Sequence, residues 1–389
     1  MQNSEPFCRR VHQVTVLDWH HDELEKLQDR RILYGVPNPN GTYPNATYDD
    51  SATWRSTVSQ IHGLARSLHA LDLLAFVWAA VPPLPTCLAE AVSCQRRCHL
   101  NILQNSSTLW TATWAYTSMC DQRVASNLHR CADRLTTLDI VVASTDIEGL
   151  SAFGNLLAST SILRTLRLHA HGRHPGILRY PPTVPRGGWT KDRFLVRNLE
   201  WVAKPLLGSS KKLRLRELSL VNFCVCETHL RDDIGQYLEL KSLTSLSVSC
   251  FGIIVLCQSD VPSLRRLSVH FRNESTEDCR KCITDWPAEC VVSHVRKWKE
   301  LQHLELIDRP DILNEELLSR MGQTLETLDV HRTSPLHNPF KSFSNQEGLP
   351  ECPAGLMQSL AEHCFRLREL TISAPTPSEE VRVLIWVKL

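Results

Sequence analysis

Cys279, Cys282, Cys290 and His294 are the residues whose types and spacing come nearest to a metal centre. A C-x-x-C hook grips one side of a tetrahedral ion, and Cys290 and His294, four residues apart, would share a helix face. Together they make a soft-ligand zinc candidate. The spacing matches no known zinc module and Cys290 more simply packs inward as a small hydrophobe, so the expectation is no cofactor and no metal, with this quartet as the weak exception. Cys224 and Cys226 lie around a strand end, and Cys94 and Cys98 are spaced one helical turn apart; both pairs read as packing. No P-loop, G-x-G-x-x-G, G-x-S-x-G or H-E-x-x-H occurs, and the carboxylates are dispersed rather than paired. No catalytic residue is assigned, and the chain is not expected to be an enzyme.

Charge offers a different chemistry. From Arg164 to Arg216 there are 13 Lys/Arg against Asp192 and Glu200, a balance of +11 in 53 residues, while the whole chain sums to +1 and the remainder to −10. Such a segment suits an acidic protein, a phosphorylated peptide or nucleic acid, or else is a solvated insertion with its charges spread over several faces.

Composition limits what can position these groups. With 42% apolar residues, 10 Trp and ordinary Gly and Pro, the 389 residues fold; they supply two or three ordinary domains or one extended array. The 15 cysteines are odd in number and scattered, so reduced thiols are expected. Met1 to Arg10 has no apolar leader core, and the longest apolar run, Leu73 to Val81, is half a membrane span. An intracellular protein, cytoplasmic or nuclear and without a membrane, is expected.

Self-similarity decides between domains and array. The spacing apolar-x-x-apolar-x-apolar occurs ten times, at Val11/Val14/Val16, Leu68/Leu71/Leu73, Leu135/Leu138/Ile140, Leu163/Leu166/Leu168, Leu215/Leu218/Leu220, Leu243/Leu246/Val248, Leu264/Leu267/Val269, Leu301/Leu304/Leu306, Leu325/Leu328/Val330 and Leu367/Leu370/Ile372. A degenerate unit sits at Leu100/Ile102. From Leu138 the middle anchors step by 28, 52, 28, 21, 37, 24 and 42 residues, the period of a leucine-rich repeat with insertions. Polar residues alternate with the anchors, as in strands buried on one face. Between them run helix-spaced segments such as Ile147, Leu150, Phe153 and Leu157, or Leu356, Leu360 and Cys364.

The predicted fold is therefore α/β: one leucine-rich-repeat solenoid over residues 1–389, curved, with parallel strands on the concave face and helices on the convex face. Insertions are expected at 35–50, 171–190 and 334–353. Arg167, His169, Glu217, Ser247, Arg266, His270, His303, Glu305, Asp329 and His331 fall on concave positions and are the candidate partner-binding residues, the four histidines also offering a pH-sensitive surface. The apolar end, Val381 to Leu389, does not read as the polar cap that a solenoid needs.

The chain resembles the repeat region of fungal F-box leucine-rich-repeat proteins. The run LHALDLLAFVWAAVPPLPTCLAEAVSCQRRCHLNIL (Leu68 to Leu103), the strand VHQVTVLDW (Val11 to Trp19) and the unit LRELSL (Leu215 to Leu220) carry the likeness. It implies a substrate-recruiting domain of a cullin-type ubiquitin ligase receptor, binding an unidentified protein. Docking to the ligase adaptor would need an F-box upstream, because repeats here begin near Val11. Leu84-Pro85 resembles the F-box opening but lies between two repeat strands. The ninth repeat position, Asn or Cys in the family, holds residues such as Trp19, Phe223 and Phe251. Nucleic-acid or anionic-ligand binding through 164–216 is the alternative function.

Overall fold

The computed structural model describes residues 11–17, 52–79, 84–103, 122–142, 147–170, 212–221, 237–248, 261–270, 292, 298–307, 312–331, 355–373 and 382–385. They fall into two compact units, the first reaching Leu213 and the second starting its repeats at Arg214.

In the first unit, strands β1 (Gln13–Leu17), β2 (Ala75–Ala79), β3 (His99–Leu103), β4 (Leu135–Val142) and β5 (Thr165–Ala170) alternate with helices α1 (Ala52–Leu68), α2 (Thr86–Ser93), α3 (Gln122–His129) and α4 (Ile147–Ser159). The strands pair in parallel in chain order. Right-handed crossovers between strands laid down in order put every helix on the same side of the sheet, and each helix packs on the next. Phe76, Leu100, Leu138 and Leu166 are buried on the strands, and Leu88, Leu128, Phe153 and Leu157 on the helices.

The second unit carries β6 (Glu217–Val221), β7 (Ser245–Val248), β8 (Arg266–His270), β9 (His303–Ile307), α5 (Glu315–Met321), β10 (Thr327–His331), α6 (Leu356–His363), β11 (Glu369–Ser373) and β12 (Arg382–Ile385). Strands β6 to β11 are parallel and sequential. Their anchors line up in two core rows, Leu218, Leu246, Leu267, Leu304, Leu328 and Leu370 in one, and Leu220, Val248, Val269, Leu306, Val330 and Ile372 in the other. The Asn314 side chain caps α5, accepting from the Leu317 amide at 2.9 Å, and Glu315 and Glu316 occupy its positively polarised first turn. Gly355 begins α6 at φ 81°, which side chains with a Cβ rarely adopt.

Backbone hydrogen bonds mark the repeat. In unit after unit, the residue two before the middle anchor donates its amide to the carbonyl of its counterpart one unit earlier. The donors are Leu74 to His12, Arg164 to Thr136, Thr244 to Arg216, Arg265 to Thr244, Gln302 to Arg265, Glu326 to Gln302 and Arg368 to Glu326, at 2.7 to 2.9 Å. Side chains add to this at another position. The hydroxyls of Ser242 and Thr324, just before the first anchor, donate to the carbonyls of Leu215 and Leu301, the first anchors of the preceding units, at 2.7 and 2.8 Å. Such links satisfy buried turn carbonyls in the way a ninth-position Asn would.

Three expectations need correction. The second unit is not Leu68/Leu71/Leu73: Leu68 ends α1, and the strand anchors are Phe76 and Trp78 with Leu73 ahead of them, a frame five residues later. Aromatic anchors fill the same core row, so a leucine-weighted pattern slips onto the helix end. The sheet is not parallel throughout, because β12 pairs antiparallel to β11, with Ile385 opposite Leu370 and Arg382 opposite Ser373. Cys94 and Cys98 do not share a helical turn; α2 ends at Ser93, leaving Cys94 exposed and Cys98 buried.

The degenerate unit at Leu100/Ile102 forms a full strand. Its register to β4 jumps between Leu100 and Asn101, with Leu100 beside Leu135 and Ile102 beside Leu138. The insertions at 35–50, 171–190 and 334–353 lie outside the described residues.

Candidate interaction face

Alternation along a strand turns every second side chain away from the core. In the second unit, register converts this into two polar rows. One runs Ser219, Ser247, Ser268, Glu305, Asp329 and Thr371; the other runs Glu217, Ser245, Arg266, His303, Thr327 and Glu369. Of the candidate residues, Glu217, Ser247, His303, Glu305 and Asp329 are half-buried there and Arg266 is exposed. His270 and His331 sit one step beyond, at the same register as Ile307, and their side chains lie outside the described residues.

The first unit places Arg167 on β5 directly beside Asp139 on β4, and His169 two residues on, beside Val141. The Arg167 Nη1 reaches Asp139 Oδ2 at 3.2 Å, and the Asp139 side chain is only 3% exposed. Arg167 therefore acts first as the counter-ion of a buried carboxylate, a role that the polar alternation gave no sign of. Replacing it with Ala should destabilise the first unit by about 1–3 kcal/mol, read as a shift in denaturant midpoint, because a buried carboxylate loses a charged hydrogen-bond donor. An unchanged midpoint would show that the pair contributes nothing.

On the second unit, Ser268 donates its hydroxyl to Glu305 Oε2 at 2.5 Å across neighbouring strands. His303 lies beside Arg266 in register. Burial first, and then the Arg266 guanidinium, lower its pKa below the ordinary 6.5, against the opposing pull of Glu326, Glu369 and Asp329. Below pH 6.5 the unfolded chain takes up this proton before the folded one does. The contribution to stability is thus complete above that pH and shrinks as pH falls toward the folded-state value. Solvent screening keeps the effect small. Between about pH 7.5 and 5.5, His303→Asn should lose less melting temperature than the parent; equal losses would show the ring to be indifferent.

Among the described residues, no group of three or more His, Cys, Asp or Glu could hold a metal ion, and no helix is long and apolar enough to cross a membrane. Cys279, Cys282, Cys290 and His294 lie outside the described residues, as does most of 164–216. The ends of that segment include Arg164, Arg167, Arg214 and Arg216; Arg214 is paired with Glu239 at 2.6 Å.

The described cysteines are free thiols. Burial pushes Cys98 and Cys364 up to about 11, and burial with Asp133 nearby pushes Cys131 up to about 12. A native protein treated with iodoacetamide at about pH 8 should be labelled at exposed Cys94, while these three react only after unfolding, as peptide mass mapping would show. Native labelling of Cys131 would contradict its burial.

Comparison with protein-family models gives no match, and a search of curated proteins gives none either.

Proposed function

We propose that this chain is a leucine-rich-repeat scaffold without catalytic activity, which binds another protein on the polar face of its strands. On this reading it corresponds to the substrate-recruiting repeats of an F-box ubiquitin ligase receptor, and an adaptor would engage only through an F-box. The observation that carries the proposal is the pair of in-register polar rows over β6 to β11. They hold charged and hydroxyl side chains at fixed spacing on an open sheet, a surface suited to broad contact with a protein partner.

The test uses a partner recovered from cell extract at low salt and then purified. Charge reversal at Arg266 and Glu305 together should weaken its binding at least about tenfold, since both project from the middle strands. Reversal at Arg173, Arg179, Arg186 and Lys191 should leave it intact. The opposite pattern, with affinity falling steeply as salt rises, would assign binding to the +11 segment and an anionic ligand instead.

A further inference from the structure

The strand-entry edge of β6 to β8 collects positive charge on a rigid frame. Arg216, Thr244, Arg265 and Gln302 are successive rungs of the backbone ladder: Thr244 donates to Arg216, Arg265 to Thr244 and Gln302 to Arg265, at 2.8 to 2.9 Å. Arg216 and Arg265 are thus two strand spacings apart, about 10 Å. Arg266 follows Arg265 and takes the register position between Ser245 and His303. Lys241 lies in the 3-10 turn Leu240–Ser242 that leads into β7, held against β6 by the Ser242 hydroxyl on the Leu215 carbonyl at 2.7 Å.

All four cations, Arg216, Lys241, Arg265 and Arg266, are exposed, and none makes an ion pair among the described residues. Of the carboxylates nearby, Glu239 is taken by Arg214 at 2.6 Å, and Glu217, in the outward row two strands from Arg266, has contacts of its own. Three arginines and a lysine gathered along one strand-entry edge give it a positive potential, which attracts an anionic ligand.

The number and setting of the charges narrow the ligand. Duplex binding typically engages roughly 6–10 phosphates, more than four cations can neutralise. Single strands are bound largely by base stacking on aromatic platforms, whereas the neighbours on these rungs are Thr244, Ser245 and Gln302. Carboxylates on an extended peptide stand about 7 Å apart at alternate residues, a spacing that long, flexible Arg and Lys side chains borne about 5 and 10 Å apart on neighbouring strands can reach, with hydroxyls between them to complete the hydrogen bonding.

We infer that this edge docks an acidic peptide segment of a partner protein, its carboxylates meeting Arg216, Lys241, Arg265 and Arg266. The inference rests on the protein-binding reading above and names the chemistry of the partner.

The experiment measures fluorescence anisotropy of the full chain with a labelled twelve-residue Glu-Gly repeat peptide. A Lys-Gly peptide and a twelve-nucleotide single strand serve as comparisons. The Glu peptide should bind, and the triple substitution Arg216→Ser, Lys241→Ser, Arg265→Ser, which spares Arg266, should weaken it about tenfold or more. The Lys-retaining variant Arg216→Lys, Arg265→Lys should keep most of the affinity. Should the triple variant fail to fold, as judged by its melt, Arg265→Ser alone should still give a several-fold loss.

No binding of the Glu peptide, or binding indifferent to these substitutions, overturns the inference. Tighter binding of the oligonucleotide that the same substitutions abolish also overturns it, in favour of nucleic acid. Failure here is separable from failure of the scaffold reading: a purified partner lost on Glu305→Lys but retained by the triple variant leaves the strand face as the site and removes only the acidic-segment assignment.

Discussion

Leu246→Ala should destabilise the second unit by about 2–5 kcal/mol in chemical denaturation. Leu246 is 1% exposed and sits in the core row between Leu218 and Leu267, so truncation opens a cavity among neighbours that are themselves fixed by the parallel ladder. The adjacent residue provides an internal control. Ser247 points to the opposite face, and Ser247→Ala should cost less than about 1 kcal/mol. Equal losses at the two positions would mean that the facing of β7 is reversed. Because each strand meets only its immediate neighbours, the lost protection in hydrogen exchange should concentrate in β6 to β8 rather than spread to β10 and β11.

Gly322→Ala should be nearly as damaging, by about 3 kcal/mol, for a purely steric reason. Gly322 caps α5 at φ −61°, an ordinary value for any residue. A Cβ there would lie 2.3 Å from the His363 carbonyl oxygen and 2.7 Å from its carbon, both backbone atoms at the end of α6. Neither can swing aside as a side chain would, so α5 and α6 must separate. Gly63, within α1, meets nothing within 4 Å. Gly63→Ala should therefore stabilise the first unit by about 0.5–1 kcal/mol through the unfolded chain and helix propensity. Thermal melts of the two variants moving in the same direction would contradict this account.

How far the sequence could be read depended on what each feature leaves in the chain. Leu264, Leu267 and Val269 announce β8 because leucine and valine at fixed spacing are what a one-sided strand buries, and the same holds from β4 to β11. Phe76 and Trp78 fill the equivalent core positions with aromatic volume, so the leucine spacing falls instead on the end of α1. β12 satisfied no repeat spacing, since an antiparallel strand returns along its neighbour and owes nothing to the period.

The candidate face was legible as alternation: Glu217, Ser247, Arg266, His303, Glu305 and Asp329 all occupy outward positions. The pairing of Arg167 with Asp139 was not, because it depends on which residues share a rung 28 positions apart. The grouping of Arg216, which the sequence shows only as the end of the +11 segment, with Lys241 and Arg265 is not legible for a related reason: these cations precede their strands, where no periodicity marks them, and only the backbone ladder brings Arg216 and Arg265 together.

Strands laid down in chain order have a consequence for how the polypeptide is made. In a protein leaving the ribosome at roughly 5–20 residues per second, a strand whose partner lies downstream must wait exposed. Here β7 emerges onto β6, β8 onto β7 and β9 onto β8, so each new edge is a finished template when the next strand arrives. Synthesis thus runs in the direction of assembly, and the vulnerable species at any moment is a single growing edge.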